Sequence, residues 1–315
     1  MTYNYCTLFN HHYLSRGIAM HESLLKHTNN FHLYIFCFDQ ITAEILHKLK
    51  LEHVTLVTLE DFEDSELKAV KPSRTAGEYC WTCTSSTILY CIQKYGLDHC
   101  TYLDADLYFF SNPNTLVDEM GDHCVLITDH NYTPRYDRSK TSGRFCVQFL
   151  TIKNNPTGMQ VLNDWRNNCL KWCFDRVEDG KFGDQKYLDS WPGDYHGIYI
   201  MKNPGGLAPF NVQQFNIDDA QFKIIFYHFH GLKFIGRGLV DLGYYQLDKK
   251  IIKQIYAPYI NHLEKIRIKL DQISNSFDFH GVKIPPFSWK TPLRALKRLL
   301  TGVYNIYNIN YFKRL

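Results

Sequence analysis

The chain has 315 residues, with 35 basic and 32 acidic side chains, a formal net charge of +3 and 45% hydrophobic content. That is an ordinary globular composition, long enough for one large or two modest domains. No apolar run reaches bilayer-spanning length, and the opening MTYNYCTLFNHHYLSR lacks the charged-then-apolar pattern of a signal peptide, so a cytoplasmic protein is expected.

The ten cysteines are scattered without a framework and read as reduced, buried thiols. Cys80 and Cys83 form a C-x-x-C, but no second pair follows at zinc-site spacing. The net charge is unevenly spread: from Phe279 to Leu315 there are seven lysines and arginines and no acidic residue, so the rest of the chain is acidic on balance. A basic tail of this kind points to an anionic surface as partner.

Residues 3–9 read as a buried strand, Asn10–Tyr13 as a polar loop and the stretch around Ile18–Leu25 as a helix. Phe31–Phe38 is a second strand, Thr42 is expected to cap a helix running to Leu51, and Val54–Leu59 is a third strand. Strand–helix–strand alternation predicts a mainly parallel sheet with crossover helices. Residues 62–77 read as loop, Glu78–Tyr95 as a helix closed by Gly96, and Thr101–Asp104 as a strand. Strands at Cys124–Thr128, Arg144–Lys153, Gly197–Met201 and Ile224–Phe229 are expected, with a helix over Gly158–Asp175 whose Trp165, Leu170 and Trp172 read as core. A short helix opens at Gly183, and Asn203–Phe210 is a Gly/Pro loop. Beyond Gly238 a helical stripe covers Lys249–Ile273, bent at Pro258. Ile284–Trp289 is a linker, and Pro292–Leu300 a short basic amphipathic helix.

The stretch Thr101–Pro113, TYLDADLYFFSNP, carries the chemistry. In extended chain, residues i and i+2 share a face, so the carboxylates of Asp104 and Asp106 meet while Ala105 points away. Two adjacent carboxylates remain ionised together when a cation lies between them, and oxygen ligands suit Mg²⁺ or Mn²⁺ with substrate phosphates completing the shell. A bare D-x-D is more often a solvated turn; here an apolar strand precedes it and an aromatic run follows. The second stretch is Tyr227–Lys233, YHFHGLK, where a strand-end histidine offers a third ligand. Gly231 admits close backbone approach to a phosphate and Lys233 brings a compact positive charge. Arg74 is a further candidate cation for the diphosphate. In open sheets ligands gather at the carboxyl ends of strands, where Asn10, Asp39 and the acidic pair all fall.

With LFNHHYLSRGIAMHESLLKH, YLDADLYFFSNP, FGDQKYLDSWP, NPGGLAPFN and FYHFHGLK in this order, the chain resembles the GT-A-fold nucleotide-sugar glycosyltransferases. It is closest in pattern to the retaining galactosyltransferase-like family eight and its bacterial relatives. The resemblance spans Tyr5 to about Tyr244. It implies an α/β GT-A (Rossmann-like) fold: a mixed, mainly parallel sheet flanked by helices, with a catalytic domain over 1–245 and a helical, basic C-terminal extension over 246–315. It implies Mn²⁺ (or Mg²⁺) on Asp104, Asp106 and His228, a nucleotide base on Phe9, Asn10 and the ring of Tyr13, diphosphate on Lys233, and the transferred sugar over Asp184 and Gln185. The implied reaction passes a sugar from a nucleotide diphosphate, UDP by resemblance, to a cell-surface glycan or lipid-linked acceptor. Asp184 as a base on the far side of C1 would invert, an acceptor approaching from the phosphate side would retain, and the resemblance leans to retention.

The chain departs from that pattern in three places. Asn10-His11-His12 stands for the usual Asp-Asp-Asn, Lys233-Phe234-Ile235 for Lys-Pro-Trp, and Phe145-Cys146-Val147-Gln148 for the acceptor segment. A sugar-1-phosphate nucleotidyltransferase is the rival on the same sheet, but it opens with a Gly-rich basic loop after the first strand that Tyr5–Gly17 lacks. A non-catalytic carbohydrate- or membrane-binding module would have no need of the metal ligands. The basic residues confined to the tail, beside Tyr304, Tyr307, Tyr311 and Phe312, suit peripheral contact at the inner face of a membrane and not nucleic acid.

Overall fold

The computed structural model describes residues 2–236, 238–284 and 288–315. Pro285, Pro286 and Phe287 of the expected linker fall outside this set. Strands follow in chain order: β1 (Tyr3–Phe9), β2 (Phe31–Cys37), β3 (Val54–Thr58), β4 (His99–Leu103), β5 (Leu107–Phe109), β6 (Val125–Asp129), β7 (Phe145–Lys153), β8 (Ile198–Ile200), β9 (Gly206–Leu207), β10 (Phe226–His228), β11 (Lys233–Ile235), β12 (Leu239–Asp241) and β13 (Ile306–Asn308). The chain divides into two compact units. The first holds Met1–Asn10, Leu25–Ala105 and Asn112–Asn203; the second holds His11–Leu24, Asp106–Ser111 and Pro204–Leu315.

The first unit is built on a seven-stranded sheet of order β3-β2-β1-β4-β7-β6-β8. Strands β3, β2, β1 and β4 run parallel, while β7 runs antiparallel to both β4 and β6. Helices lie against this sheet, which explains why β1, β2 and β7 are almost continuously apolar instead of alternating. Register from Tyr3↔Phe31 to Phe9↔Cys37 brings β1 and β2 to a common end.

Several local readings need correction. Asp39, not Thr42, caps the helix Gln40–Leu49: its carboxylate accepts from the Thr42 N–H and hydroxyl at 2.8 and 2.7 Å. The expected loop over 62–77 contains a short helix, Ser65–Val70, capped by Asp64, and a further one, Leu59–Phe62, capped by Thr58, leads into it. The long helix starts earlier than expected, at Ala76, because Thr75 and Glu78 form a reciprocal capping box; it ends at Gly96 in the left-handed conformation. The helix Pro156–Lys171 buries Trp165 completely.

The second unit carries two small sheets, β5-β10-β9 and β11-β12-β13. Strands of two or three residues lie below the length at which alternation is readable, so β9, β11, β12 and β13 were not expected. The predicted long helix is wound as Lys249–Ile251, a π-turn Ile252–Tyr256 and an α-helix Ala257–Ile273. Pro258 therefore stands inside a continuous helical run, where it cannot donate to the preceding turn, and the altered winding sits just ahead of it. The helix Thr291–Leu300 is held by Arg298, whose guanidinium makes a bidentate pair with Asp241 at 2.6 and 2.7 Å.

Candidate functional site

In the first unit the site residues stand at strand ends. Phe9 closes β1 and is buried, with Asn10 directly after it. Asp104 follows β4, and its backbone N–H donates to the Gln148 carbonyl at 3.0 Å, so β7 fixes where the acidic stretch begins. Asp184 is buried at 6% exposure, and its carbonyl oxygen accepts from the Trp165 indole at 2.9 Å. Burial and the negative charge of Asp104 push the Asp184 carboxyl up to about 8, against the opposing hydrogen bond with Thr84. Its neighbour Gln185 faces other partners: the side-chain amide donates to the Ser142 carbonyl at 2.6 Å. Arg74 is engaged with the end of the Pro156–Lys171 helix, donating to the Leu170 carbonyl at 3.3 Å and lying 3.9 Å from the Phe174 ring centroid.

In the second unit, β10 runs antiparallel to β5 with His228 opposite Leu107, and the Phe229 N–H donates to the Asp106 carbonyl at 3.1 Å. This ladder sets the His228 Nε2 3.2 Å from the Asp106 Oδ1, with side-chain exposures of only 7% and 18%. Burial raises the Asp106 carboxyl, but His228, Arg16 and His230 outweigh it and hold it down to about 2. Asp106 is thus ionised at neutral pH, and an ionised carboxylate beside an imidazole nitrogen is a donor pair that suits Mn²⁺. Asp104 carries the same carboxylate two residues earlier.

Arg16 was not singled out by sequence. It is buried at 4% exposure within the helix Leu14–His27. Its guanidinium lies 4.6 Å from the ring centroid of Tyr13 and 5.4 Å from that of Phe234. The available signal was a charge set among the apolar positions Leu14, Ile18 and Ala19. Tyr13 itself keeps 43% exposure. Gly231 adopts φ +82, and a Cβ there would meet nothing closer than Tyr245 at 3.8 Å, so conformation rather than crowding by protein atoms demands glycine. Lys233 opens β11 with its side chain exposed.

No family model matches the chain. It is 32% identical over 302 residues to the uncharacterized protein YfnD of Bacillus subtilis, covering 90% of this chain and 95% of that protein. It is 26% identical to YfnF of the same organism over 296 residues, covering 88% and 98%. Among solved structures it is similar to the galactosyltransferase LgtC in complex with donor and acceptor sugar analogs, at 9% identity and a TM-score of 0.53, covering 83% of this chain and 95% of that one. It is also similar to the bifunctional glycosyltransferase WbbM, at 12% identity and a TM-score of 0.53, covering 87% of this chain and 52% of that one. At those identities the likeness establishes the fold. Identity to YfnD across nine-tenths of the chain establishes kinship, and the chain therefore belongs to the YfnD family, built on the GT-A fold.

Proposed function

We propose that this chain is a metal-dependent glycosyltransferase that moves a sugar from a nucleotide diphosphate sugar, with UDP as the expected nucleotide, to a glycan or lipid-linked acceptor. The observation that carries the reading is the Asp106–His228 pair at 3.2 Å, two residues after Asp104 at the carboxyl end of β4. Asp104, Asp106 and His228 would hold Mn²⁺ or Mg²⁺. The cation would offset the negative charge that grows on the departing diphosphate.

The chain's own residues supply the rest. Tyr13, with Phe9 and Asn10, takes the base. Lys233 and the backbone at Gly231 take the diphosphate, with Arg74 a further candidate source of positive charge. Asp184 would lie under the sugar, with Gln185 beside it held by its bond to the Ser142 carbonyl. Burial and then the Asp104 charge raise the Asp184 carboxyl; a cation held on Asp104 would offset the second, favouring the carboxylate form beneath a cationic sugar. Retention follows if the acceptor hydroxyl approaches from the diphosphate side, which the family pattern favours.

Cytoplasmic residence, with contact at the inner face of a membrane, completes the proposal. Among the described residues no helix is long and apolar enough to cross a membrane. The Thr291–Leu300 helix buries Arg298 yet leaves Leu293, Leu296, Leu299 and Leu300 outward, at exposures of 53–80%.

The test is calorimetric titration of UDP, GDP, CDP and dTDP with and without Mn²⁺. One nucleotide should bind only with the metal, and Asp106→Ala should remove it. Binding of none under either condition refutes the reading.

A further inference from the structure

The start of the Leu14–His27 helix is gripped by a segment some 265 residues further along the chain, and all the residues concerned lie in the second unit. Three consecutive carbonyls are engaged. The Asp278 oxygen lies 3.3 Å from His12 Nδ1, the Phe279 oxygen accepts from the Ser15 N–H at 3.1 Å, and the His280 oxygen accepts from the Arg16 guanidinium at 2.7 Å. Gly281 follows at φ +62, and a Cβ there would stand 2.9 Å from the His12 carbonyl oxygen, so the two backbones run flush.

The His280 ring ties this segment inward. Its Nδ1 is 2.6 Å from the Ser15 hydroxyl and its Nε2 is 3.2 Å from Glu264, which Arg267 holds in turn at 3.0 Å. The ring also stacks on Phe234, with centroids 4.2 Å apart and planes within 6°. Glu264 and Arg267 belong to the helix Ala257–Ile273, so the grip is anchored on a regular element.

Between the gripped residues stands Tyr13, exposed and with its ring over Arg16. We infer that residues 278–281, anchored through His280 to Glu264, position the His12–Arg16 turn so that the Tyr13 ring is presented to the base of the donor nucleotide. His280 and Gly281 are then positioning residues that set affinity for the nucleoside and not for the diphosphate. This rests on the nucleotide-binding role proposed above.

The experiment compares two probes in the presence of Mn²⁺: UDP, or whichever nucleoside diphosphate the unmodified chain binds, and inorganic pyrophosphate. His280→Ala and Gly281→Ala should each weaken the nucleotide about tenfold while leaving pyrophosphate unchanged, the loss expected when one hydrogen bond's worth of positioning goes. His280→Gln, which keeps one side-chain hydrogen bond, should recover part of that loss. Thermal melts accompany each variant, and where His280→Ala does not fold, Ser15→Ala and Gly281→Ala decide the matter. Equal weakening of both probes, or of neither, overturns the inference. Failure of the unmodified chain to bind any nucleotide removes the functional reading and the inference with it. Unchanged nucleotide binding in Tyr13→Ala also overturns the inference, since the presented ring would then contribute nothing, while metal-dependent binding would still stand.

Discussion

His228 Nε2 and Asp106 Oδ1 lie 3.2 Å apart because the β5–β10 ladder puts His228 opposite Leu107, the residue after Asp106. The β5–β10 pairing thus brings the two side chains to the same place. Asp106→Asn preserves the shape and removes the charge. It is expected to lower Mn²⁺ affinity about 100-fold or more, since even partners outside the ligand shell are worth 10–100-fold. Counting free Mn²⁺ by electron paramagnetic resonance checks this; unchanged affinity would show that Asp106 is structural.

Asp184 predicts a stability slope. Its carboxyl is raised from the ordinary 3.8 to about 8, first by burial and then by Asp104. The folded chain therefore binds this proton more tightly than the unfolded chain. Any advantage is complete below about pH 4 and is lost as pH climbs toward 8. Asp184→Asn keeps the size and cannot ionise. In metal-free buffer at pH 8 it should melt roughly 2–4 °C higher than the parent, with no gain at pH 4. Parallel melting curves across that range would mean that Asp184 ionises normally in the fold.

Glu264 predicts the opposite slope. Burial raises its carboxyl, but His280 and Arg267 overcome that and bring it down to about 2 from the usual 4.5. Its contribution is present above about pH 4.5 and disappears as pH falls toward 2. Glu264→Gln should lower the melting temperature at pH 7 by roughly 2–4 °C and flatten the acid limb. Scanning calorimetry from pH 2 to 7 reads both, and an unaltered acid limb would assign the acid lability to other carboxylates.

The ends of β1 and β2 were legible because a buried apolar run stops at a polar turn, and Asp104 and Asp106 because they follow such a strand. The Leu59–Phe62 and Ser65–Val70 helices were not read, although Thr58 and Asp64 stand at N-cap positions, because four to six residues are too few to show a helical period. Nothing in the sequence ties Arg16 to His280 across 264 positions. Such a contact depends on how the strands and helices between them are laid down, not on local pattern. Asp184 was legible as a residue type in a motif, but its raised pKa comes from burial and from Asp104, 80 residues earlier.

The Thr291–Leu300 helix packs by its charge. Arg298 is 6% exposed, sits 4.2 Å from the Tyr244 ring centroid and donates to the Val303 and Gly243 carbonyls as well as to Asp241. Removing it leaves Asp241 without its bidentate partner, so Arg298→Ala should cost about 3 kcal/mol, the low end for breaking a buried pair. The same anchoring turns Leu293, Leu296, Leu299 and Leu300 outward beside Arg294 and Lys297, an apolar face bordered by positive charge. The proposed contact with an anionic bilayer would satisfy both halves of that face, the acyl boundary taking the leucines and the headgroups the cations. The protein should float with vesicles containing phosphatidylglycerol and not with pure phosphatidylcholine, and binding should weaken as salt rises from 0.1 to about 0.5 M because screening shortens the reach of the lysines and arginines. Leu293→Glu with Leu296→Glu should abolish flotation without changing the melting temperature, since neither side chain is buried. Flotation that survives the double substitution would remove this helix from the contact, and a concentration-dependent dimer lost in the same variant would assign the leucine face to a second copy of the chain.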